Sequence, residues 1–386
     1  MKRVDELSLS LLRAVLFPDV GHVREGESLL PEPLTVEEWK AVAEFFSRQS
    51  LNGLLADAVA MLPAQQQPPM VVKMPMIARQ LQVERMNSAM NGELLAFTEE
   101  LHSRNIPYLL LKGQGVAAFY PNPQHRMCGD IDLYVPREHL QEVHRGLMAF
   151  GATRDHENVH HVCYHARGIV WELHHSICYF QKEKRGQMFM RYVQKAMLEP
   201  PYRVGVGQGQ VCVLPPTTNI VLLLAHIVDH FYCEGIGLRQ LCDYARLLHY
   251  KRNEINRDEL LQMLDALSLT RAYRVFGYIA IHYLGMPEEA LMLQPASKDI
   301  PLAHRVMEDC LRGGNFGYSV VKHRHTIGQK VMYYIRYFRH LWRFRQLHPS
   351  EALWWPLAKI RRALRGEVNV SEERSAVTGE AAAVSF

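Results

Sequence analysis

From Lys2 to Ser103 apolar residues recur every three or four positions, in LSLSLLRAVL, in VEEWKAVAEFFSRQSLNGLLADAVAML and, after the break AQQQPP, in MIARQLQVERMNSAMNGELLAFTEELHSR. That period puts one oily stripe on a helix, so residues 1–104 are expected to form a helical N-terminal region. After Asn105-Ile106-Pro107 the pattern changes to YLLLKG, a short apolar run closed by glycine, which reads as a buried strand. GQGVAAFYP reads as a helix stopped by Pro121, DIDLYV as the next strand, and REHLQEVHRGLMAFG as an amphipathic helix ending at Gly151. HHVCYHARG and IVWELHHSI flank Gly168 as an antiparallel pair, and RVGVGQGQVCVLPP adds β-structure around a glycine turn. From Thr217 the helical period returns in TNIVLLLAHIVDHFY, LRQLCDYARLLHYKR, RDELLQMLDALSL and RAYRVFGYIAIHYLG.

The expected class is α+β: a helical region 1–104, a strand-rich core 105–215, an α-helical C-terminal domain 216–366, and a tail 367–386 too poor in large apolar residues to fold. With 386 residues, 48% of them hydrophobic, the chain can bury a substantial core. A net charge of +4 is mild, so general polyanion binding does not follow from charge, and any basic contact surface must be local. The seven cysteines include no CxxC pair and read as small buried hydrophobes of a reducing compartment. No apolar run follows Met1-Lys2-Arg3, and Ile220–Val228 is far short of the roughly 20 residues a membrane span needs. A cytoplasmic location is expected.

Candidate chemistry centres on GDIDLYVP. On a strand, Asp130 and Asp132 share one face while Ile131, Leu133 and Val135 take the other. Two such acids repel unless a cation or proton lies between them, which suits a hard divalent ion, or they simply face water from a sheet edge. Glu172, two residues before His174 in IVWELHHSI, supplies a third carboxylate on a second strand. The glycines of RVGVGQGQ do not make a dinucleotide fingerprint between a strand and a helix, so no cofactor role is assigned to them.

At LLLKGQGVAAFYPNPQHRMCGDIDLYVP the chain resembles the uncharacterised nucleotidyltransferases of the DNA polymerase β-like superfamily, with their K-G, a helix ending in Tyr, an Arg and D-I-D-hydrophobic-x-V. VWELHHSI sits where that family has an acid followed by x-His, and LPPTTNIVLLLAHIVDHFYCEGIGLRQLCDYARLL resembles its H-x-x-x-H and L-R-x-L-x-D helices. The likeness runs over residues 85–250. It implies a mixed sheet flanked by helices, with Asp130 and Asp132 holding Mg²⁺ or Mn²⁺ and Glu172 completing the triad. The implied reaction moves a nucleoside monophosphate from an NTP such as ATP to an acceptor hydroxyl by a two-metal route, releasing pyrophosphate.

Where the superfamily usually has Gly-Ser, this chain has Lys112-Gly113-Gln114. Lys112 can meet phosphate as a point charge and Gly113 permits close backbone approach. Arg126 carries a planar fork suited to a triphosphate, or is a surface arginine. His174 is a candidate to orient Glu172 or touch substrate. His226 and His230 share a helix face, but HIVDH lacks the Glu of HExxH. They are expected to hydrogen-bond to Arg239 and Asp243, themselves four apart and expected as an ion pair, or with them to line the site. The acceptor is left open among a small molecule, a sugar, a protein hydroxyl and an RNA end.

Residues 330–366, KVMYYIRYFRHLWRFRQLHPSEALWWPLAKIRRALRG, mix aromatic and basic side chains with one acid, Glu351. Such a segment stacks on nucleic acid, lies on an anionic membrane surface, or packs on the domain with its arginines outside. Three functional readings remain at this point: the transferase, favoured by three intact carboxylates; a catalytically degenerate nucleotide-binding or antitoxin-like regulatory protein on the same fold, left open by the missing Gly-Ser; and a nucleic-acid-binding or membrane-peripheral adaptor, resting on residues 330–366 alone.

Overall fold

The computed structural model describes residues 2–20, 29–157, 160–177, 179–315 and 327–364. The expected tail 367–386 lies outside the described residues, as do the last two positions of the basic aromatic segment and Cys178.

Four helices open the chain: α1 (Arg3–Leu16), α2 (Val36–Arg48), α3 (Asn52–Ala60) and the 34-residue α4 (Met70–Ser103). The start of α2 is set by Thr35, whose hydroxyl accepts from the Glu38 amide while the Glu38 carboxylate receives the Thr35 amide. The strand-rich part follows as β1 (Leu109–Leu111), α5 (Gly113–Ala117), β2 (Asp130–Tyr134), α6 (Leu140–Ala149), β3 (Thr153–Glu157), β4 (His161–Ala166) and β5 (Ile169–His174). Then come α7 (Glu183–Leu198) and the hairpin β6 (Tyr202–Val206) and β7 (Gly209–Val213). The rest is helical: α8 (Pro216–Cys233), α9 (Leu238–Tyr250), α10 (Arg257–Ala266), α11 (Thr270–His282), α12 (Ile300–Gly313), α13 (Ile327–Phe344) and α14 (Pro349–Leu364).

The main sheet has the order β1-β2-β5-β4-β3, with β2 and β5 parallel and the other pairs antiparallel, so the fold is α+β around a mixed sheet as expected. This order puts β2 inside the sheet, and the solvated-edge reading of Asp130 and Asp132 is thereby corrected. The expected pair about Gly168 is β4 and β5, turned by Arg167 and Gly168, both at positive φ. The glycine turn of the second hairpin is also present, with Gly209 packed so closely on Leu95 that an added Cβ would lie 2.6 Å from its methyl.

α4 lies against this core, its Phe97 ring 5.4 Å from Trp171 of β5. Buried apolar side chains form one continuous cluster from Leu7 to Trp355. In the basic aromatic segment, Tyr337, Leu341, Phe344 and Trp355 are buried in that cluster, so one side of α13 and α14 packs on the protein. Their other side exposes Met332, Ile335, Phe338, Trp342 (64%), Leu353 (66%) and Trp354. Among the described residues no helix is long and apolar enough to cross a membrane.

Candidate active site

Sheet register assembles the acids. Asp132 is directly opposite Glu172 across the parallel β2–β5 pair, and Asp130 follows on the same face two residues away. Carboxylate oxygens of Asp130, Asp132 and Glu172 all lie within 4.8 Å of one another, so three residues 42 positions apart at the extremes form one oxygen-donor set. Hard dications such as Mg²⁺ take such donors, and the residues fit that group.

Asp132, 2% exposed, has both its neighbours on one oxygen: Lys112 Nζ at 3.0 Å and His174 Nε2 at 2.8 Å from Oδ1. Burial alone would raise the pKa of Asp132, but these two groups outweigh it and hold the carboxyl well below the usual range. Asp130 is pushed the other way, to about 7, by burial and then by the charges of Asp132 and Glu172. A divalent ion would offset the burial and repulsion that disfavour a charge on Asp130. Burial also opposes ionisation of Glu172, yet its bond to His174 keeps the carboxyl below the ordinary value.

Lys112 sits at the loop between β1 and α5 with φ of 53°, a region that disfavours side chains, followed by Gly113 at φ 41°. Gly113 lies against the Asp130 carbonyl, which a Cβ would meet at 3.5 Å. The bend therefore carries the Lys112 ammonium onto the acids. Burial disfavours that charge, but Asp132 more than compensates and Lys112 stays firmly protonated. Its Nζ is also 5.9 Å from the ring centroid of Tyr179, whose hydroxyl burial pushes up to about 12.

Two other arrangements differ from expectation. Arg126 is buried and its fork closes on Asp243, with Nε to Oδ1 at 3.0 Å and Nη2 to Oδ2 at 2.6 Å, while Tyr120 donates its hydroxyl to Asp243 Oδ1 at 2.7 Å. It is not a surface arginine, and Asp243 occupies its fork. Asp243 accordingly does not pair with Arg239. Arg239, half-buried, donates to the Met127 carbonyl at 3.1 Å and has no carboxylate within ion-pair range among the described residues. Burial first, and then the charge of Arg126, lower its pKa, while Asp243 and Asp130 favour its charge.

His226 and His230 share a face as expected, with ring centroids 4.2 Å apart, but among the described residues neither is seen bonded to Arg239 or Asp243. His230 Nδ1 lies 3.1 Å from Glu234, and His226 stands edge-on to Tyr179 at 5.1 Å. Burial first, and then Lys112, drive the His226 pKa well down. His226 thus lines the Lys112–Tyr179 side of the site as a neutral ring, whereas His230 is held by its own helix.

His161 is a site residue that the sequence reading did not single out. It lies opposite His174 in the β4–β5 register, with Nε2 3.4 Å from Glu172 Oε1. Burial lowers its pKa to about 4, leaving a neutral imidazole. Cys163, opposite Glu172, is the other omission. The alternation His161, Cys163, His165 within one strand put all three on one face, but only the register shows which face.

A family model described as an uncharacterised nucleotidyltransferase matches residues 35–285. The chain belongs to this family. The match is wider than the likeness over 85–250, since it takes in α2 and α3 and continues through α11. A crystal structure of an antigenic nucleotidyltransferase-like protein from Paracoccidioides brasiliensis is 16% identical and aligns over 52% of this nucleotidyltransferase-family chain and 92% of its own, at a TM-score of 0.33. No curated protein matches the chain.

Proposed function

We propose that this nucleotidyltransferase-family protein is a cytoplasmic enzyme that transfers a nucleoside monophosphate from an NTP, ATP among them, to an acceptor hydroxyl with release of pyrophosphate. The observation that carries the reading is the convergence of Asp130, Asp132 and Glu172 on one face of the sheet, within 4.8 Å. These three would hold Mg²⁺ or Mn²⁺, which when bound stabilise the attacking and leaving oxygens of an in-line displacement. The acceptor hydroxyl gives up its proton to solvent, and its oxygen bonds to the α-phosphorus as the bond to the pyrophosphate oxygen breaks. Lys112 and the backbone at Gly113 meet the phosphates from the β1–α5 bend. Arg239 is assigned the triphosphate contact, because among the described residues its guanidinium has no carboxylate in ion-pair range while that of Arg126 is closed on Asp243.

The acceptor is a small molecule, sugar, protein or RNA hydroxyl. The exposed aromatic and arginine-bearing side of α13 is a surface for an anionic neighbour, whether lipid or nucleic acid. A specific observation supports the alternative, a degenerate nucleotide-binding or regulatory member: Lys112 already neutralises Asp132 at 3.0 Å.

Calorimetric titration of ATP, GTP, CTP and UTP, with Mg²⁺ and with chelator, tests the reading in wild type and Asp130→Ala/Asp132→Ala. Magnesium-dependent binding of at least one NTP, lost in the double variant, is expected. Binding that ignores both chelator and the double variant would favour the degenerate reading, and so would binding with no nucleotidyl transfer to any class of acceptor.

A further inference from the structure

Beside the all-carboxylate set stands a second group of donors with different chemistry. His161, Glu172 and His174 each present one ligand atom, and these lie within 4.8 Å of one another. The two imidazoles come from positions directly paired across β4 and β5, with ring centroids 4.9 Å apart. Each turns its Nε2 to a different oxygen of the same carboxylate: His161 to Glu172 Oε1 at 3.4 Å and His174 to Glu172 Oε2 at 3.3 Å. Neighbouring interior strands hold all three, so the spacing is fixed by the sheet rather than by loops.

We propose that His161, Glu172 and His174 form a nitrogen-rich site for a transition-metal dication such as Zn²⁺, next to the oxygen-only site and joined to it through Glu172. Imidazole nitrogen suits Zn²⁺, Co²⁺ or Fe²⁺, whereas Mg²⁺ prefers an all-oxygen shell, so the two sites select different ions. Two imidazoles and one carboxylate leave positions open for water or substrate oxygen, as catalytic rather than structural sites do. On binding, the ion takes the place of the contacts that His174 Nε2 makes with Asp132 and Glu172, and any proton held there leaves to solvent. The bidentate capacity of Glu172 lets one oxygen serve each site. The proposal rests on the nucleotidyltransferase reading only through this shared carboxylate.

The test uses the full chain, stripped of metal and titrated with Co²⁺ while visible absorption is recorded, with Mg²⁺-dependent NTP binding measured on the same samples. One Co²⁺ per chain with ligand-field bands is expected in wild type and in Asp130→Ala. His161→Ala and His174→Ala should each bind at least about tenfold more weakly. His161→Gln, checked by circular dichroism and melting for an unaltered fold, guards against a loss caused by misfolding and should weaken binding equally. Absence of bands in wild type, or affinity unchanged in both His161 variants, would overturn the proposal. A thiolate-to-cobalt charge-transfer band that survives in His161→Ala would do so too, placing the ion instead on Asp155, His156 and Cys163, which also cluster within 4.8 Å. Absence of the NTP signal in wild type, with the Co²⁺ bands present, would remove the transferase reading and leave the Co²⁺ result to stand.

Discussion

Two arginines near the site make other bonds than their sequence positions suggest, and the proposed division of roles between them can be measured. Arg126 and Asp243 are both buried and joined by two hydrogen bonds, with Tyr120 completing the shell of the carboxylate. Removing one partner of a buried pair strands the other charge, which costs about 3–5 kcal/mol. Arg126→Met and Asp243→Leu are therefore each expected to lower stability by that amount in urea melts, and the double variant by clearly less than their sum. Arg239→Ala is expected to behave oppositely, with little change in the urea midpoint but NTP affinity down about tenfold, the worth of one charge-assisted bond. Equal losses of nucleotide affinity at Arg126 and Arg239, with no coupling between Arg126 and Asp243, would reverse the assignment. The sequence could not show this, because Asp243 lies 117 positions from Arg126 and only four from Arg239. Local spacing pointed to the nearer partner, and the fold chose the distant one.

The elements were legible where apolar alternation or helical period was strong. β1, β2, β4, β5 and the helices from α8 to α11 lie where the pattern puts them. β3, TRDHE, is a polar edge strand without an oily face, and α7, EKRGQMFMRYVQKAML, buries only a thin stripe around Gly186, Phe189 and Val193, so neither announced itself. Register is the larger gap: no pattern within β4 tells that His161 meets His174 or that Cys163 meets Glu172. The α13–α14 junction shows what burial adds at this scale. His348 is fully buried, donating from Nε2 to the Leu267 carbonyl at 3.1 Å and accepting the Glu351 amide at Nδ1 at 3.3 Å. Burial, with Arg185 nearby, lowers its pKa to about 4. A histidine whose folded pKa lies below its unfolded value of about 6.5 must be neutral to stay folded. Its contribution is full above pH 6.5 and is lost as pH falls from there toward 4. At pH 5 this amounts to about 2 kcal/mol. Urea midpoints at pH 7 and pH 5 should differ by less in His348→Gln than in wild type by that amount, and identical pH dependence in both would show that the ring is solvated.

Across the whole molecule, the segments 1–104, 105–215 and 216–366 differ in pattern, yet their side chains are tied by buried bonds that cross every boundary. Gln49 of the N-terminal region donates to the Cys310 carbonyl at 3.2 Å and accepts the Leu238 amide at 2.8 Å. Arg13 donates to the Tyr283 carbonyl at 3.0 Å, and Arg246 of α9 donates to the Phe119 carbonyl at 2.8 Å and also to the Leu16 carbonyl. Arg126 and Tyr120, from the strand-rich part, meet Asp243 of α9. Breaking any segment away would leave these polar groups buried without partners and open the shared cluster that runs from Leu7 to Trp355. Chains of this length often unfold in stages because their domains have separate cores. Here the shared core predicts one calorimetric transition, with calorimetric and van't Hoff enthalpies in a ratio near ~1. It also predicts that 105–215 expressed alone gives no cooperative melt. Two resolved transitions, or a folded 105–215 fragment, would mean that the acidic sheet face is carried by an autonomous domain and that the flanking helices are additions to it. A single transition would mean that the helices of both ends hold the sheet register on which the carboxylate cluster depends, so that Gln49→Ala, remote from the acids, should lower the melting temperature of the entire chain by about 2–4 °C.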